Sequence, residues 1–212
     1  MKTAQRILAT SLDLFNQHGE SSVTSVDIAN ELDISPGNLY YHFKGKEIIV
    51  DALFQLHVSQ FNELIDKANT QSLSLEERFY YFYLLLEKIH LFRFFYRSPM
   101  DLMEKYPQLR KGILKLTVRL ESKLNSVIEQ SVEKGELAIT PAERQSTVEL
   151  VSLIMLQSSQ YYQIKQRFDD DVQIYNALAL LLNLLMPRMT ISNDNLEQLQ
   201  HTIAAQTFTS SD

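Results

Sequence analysis

The sequence predicts an all-α protein with a small N-terminal domain over residues 1–46 and a larger one over residues 47–212. Three observations carry this. Apolar residues recur at helical spacing along the chain, and no segment alternates with the period of a strand. Glycine and proline number only five each, and several stand where helices begin or end. Between residues 24 and 43 two short helical patterns are separated by a tight turn, which predicts a three-helix helix-turn-helix domain at the N-terminus.

The first helix spans residues 2–18, with Ala4, Ile7, Leu8, Leu12 and Phe15 facing inward and Gly19 closing it. Thr24 is the N-cap of the second helix, and Asp27 completes a capping box. Val26, Ile28, Ala29 and Leu32 form its apolar face, and Asp33 and Ile34 make the turn. Ser35 caps the third helix, and Pro36 fits its first position, where a missing N–H costs nothing. Leu39 and Phe43, four apart, anchor one face. Pro36, Gly37, Asn38, Tyr40, Tyr41 and His42 are left outward, with Lys44 and Lys46 at the exit.

This surface suits duplex nucleic acid. A helix N-terminus offers N–H groups to phosphate, and Gly37 permits close backbone approach. Tyr40, Tyr41 and His42 can donate to phosphates, while Asn38 can bond a base edge. The bland alternative is a surface helical hairpin with exposed tyrosines. Charge argues mildly against DNA. The chain carries −6, and residues 1–51 set Lys2, Arg6, Lys44 and Lys46 against seven acids. From Ile34 to Lys46, however, no acid occurs. The balance predicts a shallow salt dependence.

Three stretches together resemble the N-terminal signature of the tetracycline-repressor (TetR) family of bacterial transcription regulators: ILATSLDLFNQHG, TSVDIANELDIS and PGNLYYHFKGKEII. The resemblance runs from Ile7 to about Phe54. It implies DNA contacts at Thr24, Ser25, Ser35, Pro36, Gly37, Asn38, Tyr40, Tyr41, His42 and Lys46. Many members carry lysine where Pro36 stands. The resemblance also implies a palindromic operator in double-stranded DNA, repression as the common mode, and a C-terminal helical ligand-binding and dimerisation domain. A helical adaptor that keeps this fold but acts through protein contacts is the rival reading.

Residues 46–68 read as one long helix, with Ile49, Leu53, Leu56, Phe61, Leu64 and Ile65 on its stripe. Ser74 and Glu77 form another capping box. Residues 75–97 read as a single aromatic helix, apolar on nearly all sides and therefore buried, stopped by Ser98-Pro99. A soft apolar segment with Met100, Leu102 and Met103 follows, then a helix over residues 107–132. Thr140, Pro141 and Glu143 start a helix running to about residue 167. After the acidic turn of Asp169, Asp170 and Asp171 comes an almost wholly apolar helix over 172–186, and residues 193–206 suit a last short helix. The helices near 141–167 and 172–186 are too apolar for one outer layer. A two-fold homodimer through both would bury them; monomer core is the alternative.

Most members of the family release DNA when a small molecule enters the larger domain. The candidate lining here is Phe79, Phe82, Tyr83, Leu86, Phe92, Phe95, Tyr96, Met100, Met103, Met155, Gln157, Tyr161 and Tyr162. Aromatics and methionines suit a largely apolar effector, but at helical spacing they also describe an ordinary core. Lys111, Lys115, Arg119 and Lys123 recur every four residues, where like charges repel by about 0.2–0.5 kcal/mol per pair. Either acids from another helix face this stripe or it meets an anionic partner.

No catalytic or metal motif is present. The five histidines are scattered, and neither a phosphate-cradling loop nor a nucleophile elbow occurs. There is no cysteine. The expectations are therefore a non-enzyme without cofactor or metal. The longest apolar run, over residues 177–186, is short of the roughly 20 residues a membrane span requires, so a cytoplasmic location is expected.

Overall fold

Helix α1 covers Thr3–His18 and ends as the chain turns through Gly19 at φ 84. A short 3-10 turn, Glu20–Ser22, leads to α2 (Ser25–Glu31) and α3 (Pro36–His42). Then come α4 (Lys46–Lys67), α5 (Leu75–Leu91), α6 (Phe94–Arg97), α7 (Pro99–Lys105), α8 (Leu109–Glu133), α9 (Pro141–Ile164) and α10 (Asp170–Leu185). The computed structural model describes residues 2–67, 73–166, 169–190 and 197. Among these the fold is all-α, and the one β feature is an isolated bridge between Leu137 and Met189. Arg167, Phe168 and the expected helix over residues 193–206 lie outside the described residues apart from residue 197.

The chain divides into two compact units. The first is Met1–Gln60 with Phe92–Ile113, and the second is Phe61–Leu91 with Leu114–Asp212. Both α4 and α8 contribute residues to each.

In the first unit, Ile7, Phe15, Ile28, Leu39, Ile49, Leu53 and Leu109 are buried. Phe15 packs on Phe94, with ring centroids 5.3 Å apart, and Phe54 meets Phe95 edge-on at 5.3 Å. His57 lies among Phe92, Phe95 and Tyr96 and is hydrogen-bonded to the Tyr96 hydroxyl at 2.7 Å. Burial disfavours its charged form and pushes its pKa down to about 3. Gly112 is where α8 passes the Phe54 ring, with no room for a β-carbon.

One predicted element is corrected here. Residues 75–97 do not form one helix; α5 stops at Leu91, and a turn at Phe92 and Arg93 precedes α6. The physical reason is burial. Phe92, Phe94 and Phe95 are all buried, and neighbours in sequence point in different directions around a straight helix. The break costs a helical hydrogen bond. Asn16 Oδ1 replaces it by accepting from the Phe94 N–H at 3.1 Å. The apolar segment after Pro99 is itself helical, as α7, with Pro99 in the first turn.

The second unit buries Phe61, Phe82, Leu85, Leu120, Val127, Val151, Ile174, Leu178 and Leu181. Arg78 is buried among them at 2% exposure. Its guanidinium pairs with Glu136 and donates to Ser131 Oγ at 3.0 Å and to the Leu73 carbonyl at 2.9 Å. The acidic turn of the prediction becomes the start of α10. Asp169 Oδ1 accepts from the Val172 N–H at 2.9 Å, and Asp170 and Asp171 occupy the first turn, where the helix dipole favours negative charge. The aromatic helix is not buried all round: Tyr80 is exposed and stacks on Tyr83, which stacks in turn on Tyr175.

The basic stripe on α8 is partly answered within this unit. Arg119 pairs with Asp66 on α4, and Lys123 Nζ lies 5.8 Å from the centre of the Tyr81 ring. Lys111 and Lys115 are exposed.

Candidate nucleic-acid interface

The α2–α3 pair is built by local rules. At the start of α2, the Thr24 N–H donates to Asp27 Oδ2 at 2.7 Å, and Thr24 Oγ1 accepts from the Asp27 N–H at 3.2 Å. The Thr24 hydroxyl also donates to Asp27 Oδ2 at 2.7 Å, and this bond, together with that from the Thr24 N–H, holds the Asp27 carboxyl below its usual range. Helix α2 ends as Asp33 enters the left-handed region at φ 53 and the Ile34 N–H reaches back to the Ala29 carbonyl at 3.0 Å. Ser35 Oγ then accepts from the Asn38 N–H at 3.1 Å, and Pro36 begins α3. Leu39 and Phe43 are buried beneath it.

The opposite face of α3 is open. Tyr41 is 81% exposed, Tyr40 is 61% exposed, and the His42 ring meets Tyr41 edge-on at 5.2 Å. Thr24, Ser35, Pro36, Gly37, Asn38 and Lys44 are exposed too, and Ser25 is half-buried. A β-carbon added at Gly37 would meet only Ser35 Oγ, 3.9 Å away. Nothing inside the chain requires glycine there.

Lys46 is placed differently from the other ten expected contacts. Its ammonium donates to the Glu20 and Val23 carbonyls at 2.8 and 2.7 Å and pairs with the Glu20 carboxylate at 2.8 Å. An ammonium has three donors, and these acceptors engage them. Lys46 thus ties the start of α4 to the α1–α2 connection. Val26, expected in the α2 core, is corrected: it is 51% exposed beside Thr24 and Ser25. Val26 and Ile28 are two residues apart and point to nearly opposite sides of the helix, so burying Ile28 turns Val26 outward.

Sequence reading missed Glu20, which organises this unit at 6% exposure. Lys105 Nζ reaches both its oxygens at 3.0 Å, and the Tyr106 hydroxyl donates to it at 2.5 Å. Burial pushes the carboxyl up, but the bonds from Lys46, Tyr106 and Lys105 outweigh burial and hold it below the usual range. The signal available was an acid directly after a helix-ending glycine, with no local cation.

Of the expected effector residues, Phe79 and Phe82 line a small cavity in the second unit with Arg78, Val127, Ile128, Ser131, Leu137, Leu185 and Met189. It encloses about 10 Å³, scarcely the space of one water. Leu86, Met155 and Tyr162 are buried elsewhere in that unit, Tyr83 and Gln157 are half-buried, and Tyr161 is exposed. Phe92, Phe95, Tyr96, Met100 and Met103 belong to the first unit, and Met100 is exposed. Among the described residues no group of three or more potential ligands could hold a metal, and no helix is long and apolar enough to cross a membrane.

Comparison with known proteins agrees with this architecture. Residues 7–53 match the family described as bacterial regulatory proteins, tetR family, and residues 57–199 match TetR, bacterial transcriptional repressor. The HTH-type transcriptional regulator QacR of Staphylococcus aureus is 31% identical over 80 residues, 38% of this chain and 43% of that protein. AcrR of Shigella flexneri is 36% identical over 63 residues, 30% of this chain and 29% of its own. The matches therefore span less than half the length of these curated relatives. A TetR-family transcriptional regulator from Marinobacter aquaeolei VT8 superposes with a TM-score of 0.82 at 27% identity, covering 97% of this chain and 99% of that one. With family matches over both parts and a helix-turn-helix of the matching form, the chain belongs to the TetR family of bacterial DNA-binding transcriptional regulators.

Proposed function

We propose that the protein is a ligand-responsive repressor that binds a palindromic operator as a homodimer in the cytoplasm. One observation carries the DNA reading. The exposed face of α3 bears Tyr40, Tyr41, His42 and a Gly37 that no internal contact needs, while Leu39 and Phe43 fix the helix from below. A helix held in this way enters the major groove. Gly37 and the N-terminus of α3 approach phosphate, Asn38 reads a base edge, and the tyrosines and His42 position the head on the backbone. Thr24, Ser25, Ser35, Pro36 and Lys44 complete the contacts. Lys46 serves by holding the head together.

The homodimer forms through α9 and α10. Leu150, Leu153, Tyr161 and Ile164 stand exposed along α9, and Leu180 on α10. The two-fold axis relates two reading heads and makes the operator palindromic. The effector is a small, largely apolar molecule, a reading supported by the aromatic and methionine side chains of the larger domain. It releases DNA by its differential affinity for the non-binding dimer geometry.

The test is selection of bound fragments from genomic DNA, followed by anisotropy titration of the recovered site. Replacing Tyr40 and His42 together with alanine is expected to weaken binding at least tenfold and leave the melting temperature unchanged. Failure to recover any salt-sensitive, saturable site would overturn the reading.

A further inference from the structure

The connection from α1 to α2 is one 3-10 turn, Glu20–Ser22, entered through Gly19 at φ 84. Ser21 and Ser22 are exposed. A cleft of about 310 Å³ lies between this turn and the side chains of Phe94, Asp101 and Lys105 on α6 and α7. The walls of a cleft do not interdigitate as a packed interior does. Directed bonds rather than packing therefore fix how far the turn stands from α7.

Those bonds converge on Glu20. Its backbone carbonyl and that of Val23 accept from Lys46 Nζ at 2.8 and 2.7 Å, so one ammonium ties both ends of the turn to the start of α4. Its carboxylate carries the link to α7. The Tyr106 hydroxyl donates to it at 2.5 Å, and Lys105 Nζ at 3.0 Å. Lys105 is half exposed, so its pair counts for less. Tyr106 is the C-cap of α7 and is buried. Burial and the bond to Glu20 raise its pKa far above the ordinary value, which keeps the hydroxyl a donor. A buried ion cluster adds little stability, because desolvation offsets its attraction. Its bonds do, however, require one arrangement. Val23, held by Lys46, directly precedes Thr24, the N-cap of α2, and α2 packs on α3.

We propose that Glu20 is a positioning residue for operator reading: through its bonds to Tyr106 and Lys46, the end of α7 sets where α2 stands, and α3 with it. The inference rests on the DNA-binding reading of α3. It requires no contact of Glu20 or Tyr106 with DNA, and both are buried. Operator affinity thus depends on a hydroxyl more than 60 residues beyond the reading helix in sequence.

The test is Tyr106→Phe, which removes one hydroxyl, keeps the ring and changes no charge. Anisotropy titrations, at a temperature where circular dichroism shows parent and variant fully folded, compare the operator recovered by genomic selection with a scrambled duplex of equal length. Operator affinity is expected to fall at least fivefold. The scrambled duplex is expected to bind within twofold of the parent, because non-specific binding depends on charge and not on register. A merely structural role would lower the melting temperature and leave the affinity of the folded protein unchanged. Hydrogen exchange of the α2 amides in the DNA-free protein is expected to quicken. Glu20→Gln is expected to cost less affinity in the Tyr106→Phe background than alone, since the two act through one bond. Four results each overturn the proposal and leave the DNA reading standing: unchanged operator affinity, an equal fall for both duplexes, α2 exchange at the parent's rate, or an additive double variant. A parent that binds no saturable site sinks the DNA reading, and this proposal with it.

Discussion

The side-chain oxygen of Asn16 on α1 accepts a hydrogen bond from the backbone N–H of Phe94, 78 residues later, at 3.1 Å. That N–H would otherwise bond within a continuous helix. Here the polypeptide turns at residues 92–93, and a buried amide takes over. Asn16→Ala leaves the Phe94 N–H buried without its acceptor, which costs about 1–3 kcal/mol. Urea denaturation is expected to show a lower midpoint with an unchanged slope. A variant as stable as the parent would show that the turn is held by its aromatics alone.

His57 makes stability depend on pH in a defined direction. Its pKa in the folded protein, about 3, lies below the ordinary 6.5. The unfolded chain therefore binds a proton first as pH falls. The stabilisation is complete above pH 6.5 and is lost on descent towards pH 3, at about 1.4 kcal/mol per pH unit. The depressed Glu20 acts in the same direction at the acid end of this window, because its paired carboxylate must be protonated. His57→Phe keeps the aromatic packing but cannot titrate. Unfolding at pH 7, 6 and 5 is expected to give a flatter profile for the variant than for the parent. Equal slopes would remove His57 as the cause.

Two helical glycines should respond oppositely to alanine. Helix propensity favours alanine by about 1 kcal/mol at either position. At Gly37 nothing opposes it, since only Ser35 Oγ comes within 4 Å. At Gly112 the Phe54 ring occupies the space. Gly37→Ala is thus expected to raise the melting temperature while weakening operator binding, and Gly112→Ala to lower the melting temperature. A Gly37→Ala protein with full DNA affinity would show that close backbone approach is not used.

How far the sequence led differs between these places, for physical reasons. Caps are local chemistry, so Thr24 with Asp27, and Ser35 with Pro36, could be located from spacing alone. Val26 was misplaced because periodicity marks apolar positions, not which of them a short helix can bury. The break after Leu91 could not be seen because its compensating partner, Asn16, is remote in sequence. The Glu20 cluster was hidden for the same reason, since Lys46, Lys105 and Tyr106 join it only on folding. Aromatics at helical spacing look alike in core and pocket.

Lys44 and Lys46 are two residues apart and should behave differently. Lys44 is exposed, and Lys46 is tied to Glu20 and Val23. Lys44→Met would remove the phosphate contact proposed for Lys44. It is expected to reduce the salt slope of operator binding by about 1 without altering stability. Lys46→Met leaves two carbonyls and part of the Glu20 charge unanswered, at a cost of about 1–3 kcal/mol in stability. Parallel melts and salt titrations check both. A Lys46→Met protein of normal stability would assign that ammonium to DNA instead.

Along α9 the side chains divide by face. Val148, Val151, Met155 and Tyr162 are buried, while Leu150, Leu153, Tyr161 and Ile164 are open to solvent, Ile164 at 76% exposure. These exposed apolar side chains are what the proposed homodimer would cover. Because Leu153 and Ile164 touch little within the chain, aspartate at both positions should cost the monomer about 0.5 kcal/mol or less per site, as surface changes do. In a two-fold dimer the same aspartates meet apolar surface, or each other, in a desolvated seam. The double variant is expected to sediment as a folded monomer when the parent sediments as a dimer. Its operator affinity should fall by two orders of magnitude or more, since a second head no longer gains effective concentration from the first. Its melting temperature should lose its dependence on protein concentration. A parent that is monomeric at micromolar concentration, or a double variant that still dimerises, would refute an α9 interface and with it the two-fold operator.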